Sequence, residues 1–459
     1  MSKDVTFDAI PKVFVSKEVL FGTEIRGKDS VFLGRLAERG VGENVWFDVS
    51  SEHVVAIVGK RGSGKSYTLG VLAESLSSEN SQISSTTTER AVLLLDTLGI
   101  FWMSKYVPSP NMEQEDIKKQ LSKLKAWNLS TDTRPNVQVF IPAGFESAAA
   151  PKGTQKFYLD VSEMTSSDWA FLLGIDLFRE AMGILLNVAY VKVTTEGWTN
   201  EELEKDIPPT PKYGIDNLTS CILYDKELCS ETVGFDIRTR RALVSKLNSF
   251  TKYPVFAKVG TKMSDILKPN VLTVMLLSDV PDDVRCVISS VLFRKILSIR
   301  REASLLRRRI AVGELKKEHF AEEIPHVWIM IDEAQNISPS EAATISSPTL
   351  VKLVREGRNF GISLAITTQQ PTAIDQRIMA QVDTLIIHKL TVKRDIDSVL
   401  SNSKTLPPDK IYLASKELSY QDLVRKLPVG YALVSNSETP REFILRVRPR
   451  VSVHGGFEA

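Results

Sequence analysis

The eight residues Gly59-Lys60-Arg61-Gly62-Ser63-Gly64-Lys65-Ser66 constrain this chain more than any other stretch. They fit the spacing G-x-x-x-x-G-K-[ST]; an apolar run at 54–58 precedes them, and a helical pattern through Tyr67, Leu69, Val71 and Leu72 follows. Strand, glycine-rich turn and helix in that order wrap the helix's first backbone N–H groups around an anion, and the glycines let the backbone come close to it. Lys65 can then reach terminal phosphates as a mobile point charge, and the Ser66 hydroxyl can ligate a divalent cation. The expected nucleotide contacts are Gly59, Gly62, Ser63, Gly64, Lys65, Ser66 and Tyr67, with ATP and Mg2+ as the ligands. A glycine-rich turn that merely matches is the plainer alternative, and Lys60 and Arg61 read as solvated.

Apolar runs of strand length recur at 54–58, 91–95, 271–277, 327–331, 363–366 and 384–387, several without alternation. Unbroken apolar runs separated by helical patterns are what strands look like when helices cover both faces of a parallel sheet. The fold class is therefore α/β, a mostly parallel sheet flanked by helices around the phosphate loop. Helical patterns at 162–193 and 283–309 interrupt the strands. The expected organisation is a short, truncated N-terminal β segment at 1–50, an ATPase core at 51–156 and 263–435, a mainly helical insertion at 157–262, and a tail at 436–459.

A magnesium–nucleotide site needs a carboxylate at the end of a neighbouring strand, and His326-Val327-Trp328-Ile329-Met330-Ile331-Asp332-Glu333 supplies two. Asp332 is the expected metal-side acid, beside Ser66, and Glu333 the residue that polarises the attacking water. A strand ending in a solvated helix cap is the alternative. The next strand closes in Thr367-Thr368-Gln369-Gln370-Pro371, where the Gln369 amide can sense a γ-phosphate or simply end a strand. Arg355 and Arg358 close a helix before Gly361; an arginine so placed can stabilise phosphoryl transfer on a neighbouring subunit, or can answer the helix dipole.

Taken together, Phe32-Leu33-Gly34-Arg35, His53-Val54-Val55, Ile331-Asp332-Glu333-Ala334-Gln335-Asn336, the 355–361 segment and the ending Arg446-Val447-Arg448-Pro449-Arg450 through His454-Gly455-Gly456 resemble the HerA branch of the FtsK–HerA superfamily of ring-forming DNA translocases. The resemblance runs from about residue 30 onward. It implies catalytic roles for Lys65, Glu333, Gln369 and, acting in trans, Arg358, with Arg355 second. It also implies a homo-hexameric ring, duplex DNA in a central channel, a nuclease or other effector as partner, and a tail that contacts a neighbouring subunit. Three features depart from the family pattern: little room for the usual β-barrel before Gly59, Asp96-Thr97-Leu98-Gly99 where a His and a Glu are usual, and Gln370 in place of an arginine.

Composition bounds the partners. With 58 basic against 56 acidic residues the net charge is +2, so any DNA surface must be local. Candidates are a basic stretch from Arg294 to Lys317 and a smaller one with Arg238, Arg240, Arg241 and Lys246; a solvated helix face is the alternative for both. Three cysteines and five scattered histidines argue against a disulfide framework or zinc site. The opening shows no apolar run behind Lys3, and the most apolar stretch, 181–191, falls short of the roughly 20 residues a membrane span needs, so the expected setting is cytoplasmic. Two functions remain in view: an ATP-driven translocase of double-stranded DNA in processing, repair or anti-phage defence, and an ATP-binding scaffold that assembles and regulates an effector. A conjugative or packaging motor would normally bring membrane segments or a long accessory domain.

Overall fold

The computed structural model describes residues 5–6, 14–15, 18–22, 29–37, 43–131, 136–146, 150–232, 234–316, 324–341, 344–403, 411–413, 416–438 and 442–456. One sheet dominates them. In chain order its longer strands are β1 (Glu18–Phe21), β2 (Ser30–Leu36), β3 (Asn44–Asp48), β4 (Val54–Val58), β5 (Arg90–Asp96), β6 (Val137–Pro142), β7 (Leu272–Leu276), β8 (His326–Ile331), β9 (Ile362–Thr368), β10 (Thr384–Ile387), β11 (Tyr431–Asn436) and β12 (Phe443–Val447). Their spatial order is β6-β7-β5-β8-β9-β4-β10-β11-β12-β2-β3-β1.

From β6 to β10 every neighbouring pair is parallel. The apolar runs explain why: alternate residues of each strand enter different cores. Val54, Ala56 and Val58 join Leu93 and Ile329 on one face, while Val55 and Ile57 join Leu94 and Met330 on the other. Beyond β10 the strands turn antiparallel through β11, β12 and β2, so the described strands at 18–48 extend the same sheet, whereas the short strand Val5–Thr6 pairs with Ile411–Leu413 in a small separate one.

Among the described residues, nine helices of eight residues or more cover the sheet or build the insertion: α1 (Lys65–Leu76), α2 (Glu115–Ala126), α3 (Ser166–Leu173), α4 (Ala181–Val191), α5 (Ile215–Tyr224), α6 (Ile237–Ser249), α7 (Asp282–Ala311), α8 (Ser346–Glu356) and α9 (Lys393–Ser401). Helix α1 buries Leu69, Val71, Leu72, Ala73 and Leu76 against one face. The segment 162–193, read as one helical stretch, is two helices, because Gly174 takes a left-handed conformation (φ 63°) that ends α3.

The described part of the tail packs against its own chain. Its described residues lie on their own chain's α1, where Arg448 and Arg450 are 0% and 1% exposed. Glu74 accepts Arg448 Nη1 at 2.6 Å and the Val451 and Ser452 N–H groups at 3.0 Å each. Gly70 sits mid-helix, where a glycine costs stability, because any Cβ there would lie 2.4 Å from Arg450 Nη1.

Candidate nucleotide-binding site

Parallel register brings the site together. Ile366 pairs with Ile331 on one side and Ala56 on the other, and Leu95 pairs with Ile331. One residue further along, Thr367, Asp332 and Asp96 are therefore level at the carboxyl edge, with the phosphate loop leaving β4 beside them. The acid strand is not β4's immediate neighbour as expected: β9 lies between the two, so its terminal residues stand at the centre of the site.

The loop has the form its sequence requires. Gly62 and Gly64 take positive φ (73° and 113°), and α1 starts at Lys65 with its orphan N–H groups and positive dipole end turned to the loop. Gly59 N–H is anchored on Thr368 O at 3.2 Å and Ser63 Oγ on Lys60 O at 2.7 Å. Lys60 and Arg61 are exposed, whereas Lys65 is 5% exposed, a burial lysine tolerates only when paired. Its partner is Glu333, with Nζ 3.4 Å from Oε1.

The Glu333 carboxylate is held from both sides. Gln369 Nε2 donates to Oε1 at 2.7 Å, while Gln335 Nε2 and Gln369 N–H donate to Oε2 at 2.8 and 3.2 Å. The expected γ-phosphate sensor thus grips the expected water-polarising acid. Glu333 also takes a left-handed backbone conformation (φ 51°), a strained state of the kind that collects at functional sites.

Asp332 accepts Ser66 Oγ at 3.0 Å and Thr367 Oγ1 at 2.7 Å, both on Oδ1. Its Oδ2 is buried with no hydrogen-bond partner among the described residues. Burial above all, reinforced by the Asp96 and Glu333 charges, raises its pKa to about 7 against the hydrogen bonds from Thr367 and Ser66. A buried carboxylate with an orphaned oxygen beside a serine hydroxyl fits Mg2+, which takes few protein ligands and completes its shell with phosphate and water. Asp96, raised to about 6 mainly by burial, instead caps its own turn, accepting N–H bonds from Gly99, Ile100 and Phe101.

Other expected residues lie elsewhere. The Tyr67 side chain turns away from the loop: its hydroxyl accepts Arg450 N–H at 2.7 Å and its ring meets His454, so only its backbone remains at the first turn of α1. Arg358 is at the opposite edge of the sheet, paired with Asp383, whose carboxylate caps Val54 N at 2.7 Å. Four residue steps of β4, about 13 Å, separate that cap from the loop. Arg355 is exposed on α8.

Three residues of the basic stretch on α7 are spent within the chain. Arg294 forms a two-point contact with Asp168 (2.7 and 3.0 Å), Lys295 pairs with Glu163, and Arg300, 1% exposed, donates to Phe360 O and Ile324 O. Arg301, Arg307, Arg308, Arg309 and Lys316 remain exposed, and Lys317 lies outside the described residues. In the smaller cluster Arg240 is buried and donates to Leu223 O, while Lys246 donates to Leu173 O.

Sequence reasoning missed Thr367, Gln335 and His388. His388 sits beneath the loop, bonded to Thr68 Oγ1 (2.9 Å) and Tyr431 O (2.9 Å), and burial holds its pKa down to about 4. Gln335 belongs to the acid-strand motif, and its two-residue spacing from Glu333 is the signal that marks it.

An open parallel sheet, a strand inserted between loop strand and acid strand, and a lysine–glutamate pair at its carboxyl edge define a P-loop NTPase. A family model described as "Helicase HerA, central domain" matches residues 31–296, more than half of the chain, and the chain belongs to that family. Lys65 and Ser66 lie inside the matched segment; Asp332, Glu333, Arg358 and Gln369 lie beyond it. Relatives include the DNA double-strand break repair helicases HerA of Pyrococcus furiosus (22% identical; 56% of this chain, 45% of the relative) and Saccharolobus solfataricus (24%; 58% and 50%). That of Sulfurisphaera tokodaii is 31% identical over 32% of this chain and 27% of its own. The chain thus spans about half, or less, of the length of these relatives. Solved structures similar to it include VirB4 of Thermoanaerobacter pseudethanolicus (TM-score 0.49, 13% identity, 94% of this chain and 98% of that one) and the bacterial conjugative coupling protein TrwB (0.45, 10%, 96% and 98%). No helix among the described residues is long and apolar enough to cross a membrane.

Proposed function

We propose that this chain is an ATP-driven, ring-forming translocase of double-stranded DNA that works with a nuclease or other effector, in the cytoplasm, in DNA processing, repair or anti-phage defence. The observation that carries the reading is the convergence of Lys65, Glu333 and Gln369 beside the phosphate loop, in a chain of the HerA family. The triphosphate of ATP lies on the N–H groups of residues 62–66. Lys65 then exchanges Glu333 for the β- and γ-phosphates, which frees Glu333 Oε1 to accept a proton from the attacking water. Gln335 and Gln369 keep that carboxylate oriented while Lys65 moves. Ser66 and Asp332 are the residues that would hold Mg2+, which when bound neutralises charge on the phosphate oxygens.

Arg358 cannot serve its own loop from the far edge of the sheet, so its role as the arginine finger requires a neighbouring subunit, as a hexameric ring supplies. Leaving Asp383 is then part of ring assembly.

The alternative, an ATP-binding scaffold that regulates an effector, is favoured by the internal use of Arg294, Lys295 and Arg300, which thins the charge available to a DNA backbone. Displacement of a third strand from duplex DNA separates the two. A translocase displaces it with ATP, and Glu333→Gln abolishes displacement; a scaffold displaces none, and its Glu333→Gln form still assembles the partner.

A further inference from the structure

Thr367 is the penultimate residue of β9, its side chain fully buried, and no motif draws attention to it. Its hydroxyl touches both acids of the site. The Glu333 backbone N–H donates to Thr367 Oγ1 at 2.9 Å, and an amide can only donate, so the hydroxyl's own proton points to Asp332 Oδ1 at 2.7 Å. Ser66 Oγ reaches the same Oδ1 at 3.0 Å. Oδ1 is thereby occupied twice, while Oδ2 is buried without a hydrogen-bond partner among the described residues.

From this geometry we infer that Thr367 is the positioning residue of the acid pair. It fixes the rotation of the Asp332 carboxylate so that Oδ2 is the oxygen offered to the cation, and it pins the Asp332–Glu333 peptide so that Glu333 keeps its left-handed backbone and its aim at the attacking water. The inference deepens the proposed ATPase reading and rests on it. Both functions depend on the hydroxyl and neither on the methyl. Valine, which matches threonine in shape, removes a donor from Oδ1 and an acceptor from the Glu333 amide; serine restores both.

The test compares wild type, Thr367→Val, Thr367→Ala and Thr367→Ser by two readouts. The first is affinity for a fluorescent ADP analogue, titrated with Mg2+ and repeated in EDTA. The second is steady-state ATP turnover. Thr367→Val and Thr367→Ala are expected to raise the half-saturating Mg2+ concentration about tenfold and to lower kcat on the order of 10- to 100-fold. Affinity in EDTA should not change, and Thr367→Ser should recover to within about threefold of wild type. A folding defect would weaken binding in EDTA as well, so the Mg2+ dependence separates positioning from packing. Wild-type Mg2+ dependence in Thr367→Val, or a Thr367→Ser chain as impaired as Thr367→Val, overturns the inference. A wild-type chain that binds Mg·ADP but hydrolyses no ATP overturns the ATPase reading while the binding series still decides the role of Thr367. No Mg2+-dependent nucleotide binding at all removes both.

Discussion

Glu74→Ala leaves two guanidinium groups buried with no counter-charge. Glu74 accepts Arg448 Nη1 at 2.6 Å, lies 3.7 Å from Arg450 Nε, and takes the N–H groups of Val451 and Ser452. Arg448 and Arg450 are at most 1% exposed, so water cannot replace the lost carboxylate while the tail stays docked. Breaking a buried pair from one side costs about 3–5 kcal/mol. The two orphaned N–H groups push toward the upper end of that range, and undocking of the tail from α1 sets its ceiling. At about 1 °C per kcal/mol for a chain of 459 residues, the melting temperature should fall by roughly 3–5 °C. Urea denaturation and thermal melts followed by circular dichroism check this. Glu74→Gln, which keeps an acceptor oxygen, should lose less. The Glu74→Leu, Arg448→Met double variant should be more stable than the sum of its singles by about 1–3 kcal/mol. A Glu74→Ala loss under about 1 kcal/mol, or strict additivity in the double variant, would refute a buried tail clamp on the phosphate-loop helix.

Glu333→Gln should lower turnover by about 10²–10⁴-fold with nucleotide binding retained, read by phosphate release beside a fluorescent-nucleotide titration. Arg358→Ala should reduce turnover on the order of 10³-fold, and rings mixed from Arg358→Ala and Glu333→Gln chains should exceed either alone, since some interfaces then carry neither lesion; mixtures no better than the parents count against action in trans. His388, with a folded-state pKa of about 4, is neutral in the fold, whereas the unfolded chain takes up the proton near pH 6.5. Stability is therefore complete above about pH 6.5 and falls by roughly 3 kcal/mol as pH drops toward 4. His454, lowered to about 3, adds a slope of the same sign, so His388→Gln should shed about half of the combined acid sensitivity in urea melts at pH 7 and pH 5.

Much of the fold was legible because apolar runs at 54–58, 91–95 and 327–331 have one physical explanation, burial on both faces of a parallel sheet. The loop at Gly59–Ser66 was legible for the same reason: few backbones need that glycine spacing. What escaped depends on register, which single strands do not state. Nothing in the run ending at Thr367 and Thr368 says that the first hydroxyl meets two acids while the second accepts the Gln370 N–H. Charge runs were equally mute about their partners, so Arg294 and Arg300 read as a surface stripe until Asp168 and Phe360 came against them. Tyr67 followed the motif's serine in sequence, but the direction of its side chain was set by the distant Arg450.

ATP hydrolysis by the purified chain, with and without duplex DNA, at low and moderate salt and beside its mass in solution, reaches the proposed translocase most directly. Hydrolysis strongly stimulated by DNA on a hexamer-sized particle, weakened as salt rises and abolished by Lys65→Ala, is the expected result. Hydrolysis that ignores DNA, or that survives Lys65→Ala, would contradict it.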